Sequence, residues 1–125
     1  MSLSTTHAQN ILKAVYQATS YSVSTLYMSL HTADPGSTGA SEVTDAAYVR
    51  VNVTGLFATL SGTSVSNSAQ LLFQFMTTGF TATHFGFWDA LAGTWIDGFA
   101  LGSSLVVPAG DRPYFNTGDL TISAS

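Results

Sequence analysis

Two pairs of histidine and aspartate are the residues of this sequence best suited to chemistry. His31 and Asp34 are separated by two residues, and His84 stands shortly before Asp89. Imidazole and carboxylate groups together can bind a metal ion or act as acid and base. His31 ends a predicted strand, Asp34 opens a turn, and His84 lies in an aromatic stretch. We therefore expect these side chains to make structural hydrogen bonds.

The remaining acidic residues do not form a recognisable site. Asp89, Asp97, Asp111 and Asp119 each stand near a glycine, and turn formation accounts for that arrangement. Their spacing matches no calcium-binding loop. The sequence also contains no glycine-rich phosphate loop, no Gly-x-Ser-x-Gly elbow and no zinc motif. We expect no catalytic residues, no metal and no cofactor, and hence a protein that is not an enzyme.

The composition indicates one domain and restricts its partners. Of 125 residues, 8% are charged, compared with about 25% in an average protein. The three cations are Lys13, Arg50 and Arg112, so no basic stripe is available for nucleic acid. No apolar run reaches the roughly 20 residues of a membrane helix, and no signal-peptide pattern opens the sequence. We expect a single domain over 1–125, made in the cytoplasm and binding neither nucleic acid nor membrane.

The same composition predicts self-association. A chain with 8 Phe, 5 Tyr and 2 Trp but few charges has little polar surface for an isolated monomer. Aromatic residues concentrate at the cores of protein interfaces. We place Trp88 and Trp95 at a self-association surface, and burial of both rings in the core is the alternative. The sequence leaves a dimer and a trimer open.

A helix is predicted over 5–17, where Ala8, Ile11, Leu12 and Val15 recur on one helical face. A helix of this length is marginal in isolation and must dock on another surface. We favour packing of the apolar face on a sheet of the same molecule. The alternative is that residues 1–19 form an arm laid on a neighbour, with Ile11, Leu12 and Val15 as contact residues.

From residue 20 onward, short β-type segments alternate with turn residues. The predicted fold class is all-β, a jelly-roll-like β-sandwich over 20–125 preceded by the short helix. We expect an exposed loop over 36–47 and a mobile loop over 61–68. Strands are predicted over 26–31, 48–53, 71–76, 83–89, 94–99, 105–107 and 120–123.

Residues 26–36 read Leu-Tyr-Met-Ser-Leu-His-Thr-Ala-Asp-Pro-Gly. This segment resembles the start of a family of small structural proteins of tailed bacteriophages. In that family a helix precedes this strand and turn, and a glycine-rich loop, a glutamate and a Tyr-x-Arg strand follow. Gly39, Glu42, Tyr48 and Arg50 stand at those places here.

The second half of the chain continues the resemblance. Residues 83–90 match a threonine-histidine strand that runs into an aromatic-aspartate-alanine turn, and Gly93 matches the glycine that follows. Residues 107–111 and 118–122 match the family's two closing Gly-Asp segments. The resemblance thus covers nearly the whole chain in order and is weakest over 54–70.

The resemblance implies a capsid cement or decoration protein with a jelly-roll fold. Such a protein binds the outer surface of the major capsid shell and stabilises it against the pressure of packaged DNA. The implied partners are the major capsid protein and further copies of this chain, and the implied location is the capsid exterior of the virion. A clip between shell subunits stabilises the assembled state by mass action and multivalency. We expect contacts from a sheet edge, the N-terminal arm and the 36–47 loop that carries Glu42.

Two other functions remain open. Some members of the family are labelled tail-fibre proteins, so the first alternative is a tail-fibre or receptor-binding module. The second is a sugar-binding or hydrolytic sandwich, in which Trp88 or Trp95 stacks on a sugar ring and two aspartates act as acid and base. Copy number separates cement from fibre, because a cement protein approaches the abundance of the shell protein.

Overall fold

The computed structural model describes residues 3–123, so residues 1–2 of the predicted arm and 124–125 of the predicted sandwich lie outside the described residues. Within 3–123 the chain forms one helix and nine strands, which pair into antiparallel sheets of four, three and two strands. The predicted all-β, sandwich-like fold with a short N-terminal helix is confirmed. The elements are α1 (Thr5–Tyr16), β1 (Tyr27–His31), β2 (Val51–Asn52), β3 (Thr59–Ser61), β4 (Ser64–Ser66), β5 (Leu71–Leu72), β6 (Gly79–Trp88), β7 (Trp95–Pro108), β8 (Tyr114–Phe115) and β9 (Thr121–Ser123).

Local hydrogen bonds set both ends of α1. The Ser4 Oγ accepts a hydrogen bond from the His7 N–H at 3.2 Å, which caps the first turn. At the other end the Gln17 N–H donates to the Lys13 carbonyl at 2.9 Å, and Ala18 follows with a positive φ of 53°. The helix predicted over 5–17 is thus confirmed to within one residue. No helix in the described part of the chain has the length and apolar character needed to cross a membrane.

The apolar face of α1 points away from the rest of the chain, so the packing favoured from the sequence is wrong. Ile11, Leu12 and Val15 are 42%, 56% and 66% exposed. The neighbouring side of the helix holds buried His7 and half-buried Asn10. His7 Nδ1 is hydrogen-bonded to the Tyr21 hydroxyl. This polar contact holds the His7 side of the helix toward the body.

The largest sheet has the strand order β2-β1-β6-β7. β1 pairs antiparallel with β6, from Tyr27 opposite Trp88 to His31 opposite His84. β6 then pairs with β7 along most of its length. This register brings the two histidines singled out in the sequence side by side at one end of β1.

One long strand replaces two predicted short ones. The strands expected over 94–99 and 105–107 are both parts of β7. The ladder with β6 shifts register between Ala82 and His84 but continues beyond the shift. At this shift Thr83 alone stands opposite residues 101–104, and β7 continues through the irregularity, so the segment between the two predicted strands is not a loop.

Two other predicted strands are much shorter in the structure. The strand over 48–53 reduces to β2, because the Val49 N–H donates to the Gln74 side-chain oxygen at 3.0 Å instead of to a neighbouring strand. The strand over 71–76 reduces to β5. Pro113 stands beside its partner strand β8 and has no N–H to extend the ladder.

The segment predicted as a mobile loop over 61–68 belongs to a hairpin. β3 and β4 pair across a tight turn at Gly62, which has a φ of 59°, and β4 also pairs with β9. The Ser64 and Ser123 hydroxyls hydrogen-bond across the strands at 2.8 Å. The small polar side chains that suggested a loop therefore form cross-strand bonds.

The core between the sheets consists of large apolar side chains. The Phe85 and Phe87 rings pack edge to face, with centroids 5.7 Å apart. Burial of each large side chain contributes about 1.5–3 kcal/mol, and this packing stabilises a chain without cysteine. The buried apolar residues that form the main cluster are Met28, Leu30, Val43, Val53, Leu71, Phe73, Met76, Ala82, Phe85, Phe87, Val107, Phe115 and Leu120.

Candidate functional site

Several residues of the family resemblance meet Trp95 in one polar and aromatic cluster. We call it the loop anchor and define it as Ser29, His31, Glu42, Arg50, Trp88 and Trp95. Strands β1, β6 and β7 supply four of its side chains, and Arg50 immediately precedes β2. Glu42 comes from the loop between β1 and β2 and forms an isolated β-bridge with His31. The loop anchor therefore holds that loop against the large sheet.

An ion pair with two parallel hydrogen bonds forms one side of the loop anchor. Arg50 Nε donates to Glu42 Oε2 at 3.0 Å, and Arg50 Nη2 donates to Glu42 Oε1 at 2.9 Å. The two side chains are only 18% and 21% exposed. Bidentate pairs of this kind are stronger and more directional than single contacts between charges. The pair thus fixes the direction in which the loop leaves β1.

The same arginine connects the ion pair to the aromatic half of the cluster. Its guanidinium carbon lies 3.4 Å from the centroid of the Trp88 ring. Arg50 Nη1 also donates to the Leu91 carbonyl at 2.8 Å. The Trp88 Nε1–H in turn donates to Ser29 Oγ at 2.9 Å. The Arg50 guanidinium, the Trp88 ring and the Ser29 hydroxyl therefore form one continuous network of contacts.

His31 lies at the centre of the loop anchor and is fully buried. Its Nε2 is hydrogen-bonded to Ser29 Oγ and its Nδ1 to the Ala40 carbonyl, each at 2.7 Å. The imidazole also contacts the Trp95 ring edge to face, with centroids 5.3 Å apart. Burial is the main cause that lowers the pKa of His31. Both ring nitrogens are engaged, so the predicted hydrogen bonding of His31 at the end of its strand is confirmed.

Tyr48 closes the cluster beside the core. Its hydroxyl donates to Glu42 Oε2 at 2.8 Å and accepts from the Leu30 N–H at 3.0 Å. Burial raises the pKa of Tyr48, and the Glu42 carboxylate adds to the effect. The glutamate and the tyrosine of the family pattern therefore share one hydrogen bond.

Gly39 gives the loop its close approach to the two tryptophans. It has a φ of 80°, and a Cβ placed there would lie 2.6 Å from Trp88 Cζ2 and 2.8 Å from Trp95 Cε3. Only glycine fits this backbone conformation and this spacing without a shift of the rings. The glycine of the family pattern is thus explained by packing.

Asp45 anchors the far end of the same loop, and sequence reasoning missed it. Its carboxylate accepts hydrogen bonds from the Ala47, Thr77, Thr78 and Gly79 N–H groups at 2.8–3.0 Å. These bonds, with that from Thr77 first, hold the pKa of Asp45 well below its usual range. The hydrogen bond from the Ala47 N–H forms an Asx-turn, which the sequence can indicate. The other partners of Asp45, over 77–79, are distant in sequence and leave no such local signal.

The other candidates for chemistry stand in turns or in strands. Asp34 Oδ1 accepts from the Gly36 N–H at 2.9 Å, and Asp89 Oδ1 accepts from the Thr94 N–H at 2.7 Å. His84 Nδ1 is hydrogen-bonded to the adjacent Thr83 hydroxyl. Asp119 accepts from the Asn116 N–H in a turn, as expected. The turn expected at Asp97 is wrong, because Asp97 is buried inside β7, where its Oδ1 accepts from the Gly98 N–H. Within residues 3–123 no three histidine or acidic side chains come together as metal ligands would.

The predicted contact residues fall into two groups. Glu42, Trp88 and Trp95 all lie in the loop anchor, and Trp95 is only 3% exposed. The Trp95 ring is buried within the chain, which is the alternative that the sequence left open for it. Ile11, Leu12 and Val15 lie on the exposed face of α1 and stay predicted contact residues.

The comparisons with known proteins agree with the sequence resemblance at the level of a phage structural protein. The family model described as podophage GP4 fiber I protein gp80 matches residues 2–123. No curated protein matches the chain. The family match spans the loop anchor, the three sheets and α1. The chain therefore belongs to the family of the podophage GP4 fiber I protein gp80.

Proposed function

We propose that this protein is a structural component of a bacteriophage fibre and acts by binding other virion proteins, without catalysis. The observation that carries the proposal is the match to a fibre protein family over residues 2–123. The tail-fibre function, considered from the sequence as the alternative, thus becomes the first candidate. On this proposal the protein is located in the virion.

Three features of the geometry support a binding role. The loop anchor and the Asp45 carboxylate hold the segment between β1 and β2 at both ends, as a rigid contact element requires. The histidines singled out for chemistry engage hydrogen-bond partners inside the chain. The helix meanwhile presents large apolar side chains outward. Fixed loops and exposed apolar faces are features of proteins that assemble with others.

A capsid cement function is the second candidate. It is supported by the resemblance carried by residues 26–36 and by Glu42, Tyr48 and Arg50. The partner would then be the major capsid protein, and the location the outer surface of the shell. Under both candidate functions the protein is a non-enzymatic component of the virion. The two functions differ in where the protein binds and in how many copies each particle carries.

Immunogold electron microscopy of intact particles tests the proposal. An antibody against this protein should label fibres or their attachment points, while an antibody against the major capsid protein labels the shell as a control. Gold spread evenly over the shell would contradict the fibre function and support cement. Particles that bind the control antibody but never this one would contradict both candidates.

A further inference from the structure

Two apolar surfaces within residues 3–123 are open to solvent. The first is the outer face of α1, formed by Ile11, Leu12, Val15 and Tyr16, which are 42–79% exposed. The helix turns the side that carries His7 toward the body, and Leu12, Val15 and Tyr16 face solvent. An amphipathic helix normally buries its apolar stripe, so this face needs a partner outside its own chain.

The second surface is an apolar groove of about 240 Å³. Its walls come from two sheets and are almost entirely aliphatic or aromatic. Residues that line it include Phe57, Val65, Phe87, Ile96, Phe99 and Ile122. Most of them are half-buried, whereas core neighbours such as Phe85 are covered. The groove therefore has the character of a site for a few apolar side chains.

We infer that the outer face of α1 of one copy of the chain binds in this groove of a second copy. The root of the helix lies at the groove: the Ser4 N–H donates to the Ile96 carbonyl at 2.8 Å, and Leu3 lines the groove itself. From this root, the 12 residues of α1 extend about 18 Å. A two-fold axis near the root would let both copies exchange their helices reciprocally, as symmetric dimers do.

Charge supports a second copy as the occupant. Lys13, at the edge of the apolar stripe, is the one charged residue before position 34, and all seven acidic residues follow it. The part of the chain that forms the groove holds all seven acidic residues and two arginines, so it is net acidic. A cationic helix thus meets an acidic body. Membrane-surface helices carry many basic residues on their polar face, and a single lysine does not fit that pattern.

Light scattering of the intact protein tests the exchange. We expect a mass at least twice the 13.1 kDa of the chain at micromolar concentration and above. The double variant Leu12→Gln/Val15→Gln should shift to the monomer mass and keep the circular-dichroism spectrum of the folded chain, because both side chains are exposed within one copy. The matched control Leu72→Gln/Val106→Gln, also at exposed sites, should keep the oligomer. A monomeric wild type, or an oligomer that survives the helix substitutions, would overturn the inference.

Disulfide trapping locates the contact without a variant that disturbs the core. The chain has no cysteine, so Val15→Cys and Val65→Cys can be prepared separately, mixed and oxidised. We expect the mixed disulfide dimer to form well above the level seen when Val15→Cys is mixed with Val106→Cys. Preferential formation of Val15→Cys homodimers would show that helices pair with helices, and would overturn the groove as the docking site.

This inference rests on surfaces of the chain and not on the fibre proposal. Disulfide trapping uses the purified protein, whereas immunogold labelling uses phage particles. A negative result in one experiment therefore does not contradict the claim tested by the other.

Discussion

The guanidinium carbon of Arg50 lies 3.4 Å from the centroid of the Trp88 ring. This contact joins the ion pair with Glu42 to the buried hydrogen bonds of Ser29 and His31. A cation over an aromatic face contributes about 0.5–2 kcal/mol, depending on burial. It therefore links the loop between β1 and β2 to the ends of β6 and β7.

The substitution Arg50→Lys should destabilise the protein although it keeps the charge. An ammonium group can neither form the bidentate pair with Glu42 nor stack on Trp88 as a planar guanidinium does. Hydrogen bonds to charged groups contribute about 1.5–3 kcal/mol, and a loss of that order should appear in chemical denaturation. Arg112→Lys is the matched control, since Arg112 makes a hydrogen bond to the Phe73 carbonyl and lies 4.5 Å from the Phe75 centroid. Equal losses in the two variants would contradict the role of the ion pair.

Gly39→Ala should cost more stability than Gly36→Ala. Both glycines have positive φ, at 80° and 61°, so both substitutions place alanine in a strained left-handed conformation. A Cβ at Gly39 also meets the rings of Trp88 and Trp95, whereas a Cβ at Gly36 has open space around it. Overpacking adds about 1–3 kcal/mol. Thermal unfolding of the two variants measures the difference. Similar melting temperatures would mean that the Trp88 and Trp95 rings can shift to accommodate the added methyl group at little cost in stability.

Asp45→Asn should lower the melting temperature at neutral pH and flatten its acid dependence. Hydrogen bonds hold the pKa of Asp45 below its usual value, so its contribution is present above the unfolded pKa of about 3.9. That contribution is lost as the pH falls below this value, because the folded state must then bind a proton against its hydrogen bonds. Exposed Asp111→Asn is the control. A parallel acid profile for wild type and Asp45→Asn would contradict the assignment.

Because of His31, the free energy of unfolding should decrease as the pH is lowered from neutral to mildly acidic. Burial lowers its pKa, so the folded state favours the neutral ring while the unfolded chain binds a proton below about pH 6.5. The stability that this neutral ring contributes is present above that pH and is lost as the pH falls. Melting temperatures of wild type and His31→Gln at several pH values measure the effect, with His84→Gln as control. The prediction fails if His31→Gln keeps the full wild-type slope.

The sequence predicted those features that depend on neighbouring residues. The alternation around Leu30 indicated β1, the helical spacing around Leu12 indicated α1, and Asp34 indicated its turn. All three follow from local periodicity and turn chemistry.

Features set by distant contacts could not be predicted. The periodicity of α1 showed an apolar face but not its direction, because buried His7 decides which side meets the body. The hydrogen bonds that Asp45 accepts over 77–79 join segments more than 30 positions apart. The bulge near Ala82 that keeps β7 continuous depends on its pairing with β6.

Quantitative mass spectrometry of purified particles tests the central claim most directly, by measuring the copies of this protein for each copy of the major capsid protein. The fibre function predicts that the protein is present in every preparation at a small fraction of the shell protein. Near-equal abundance with the shell protein would contradict the fibre function in favour of cement, and absence from infectious particles would contradict a virion role altogether.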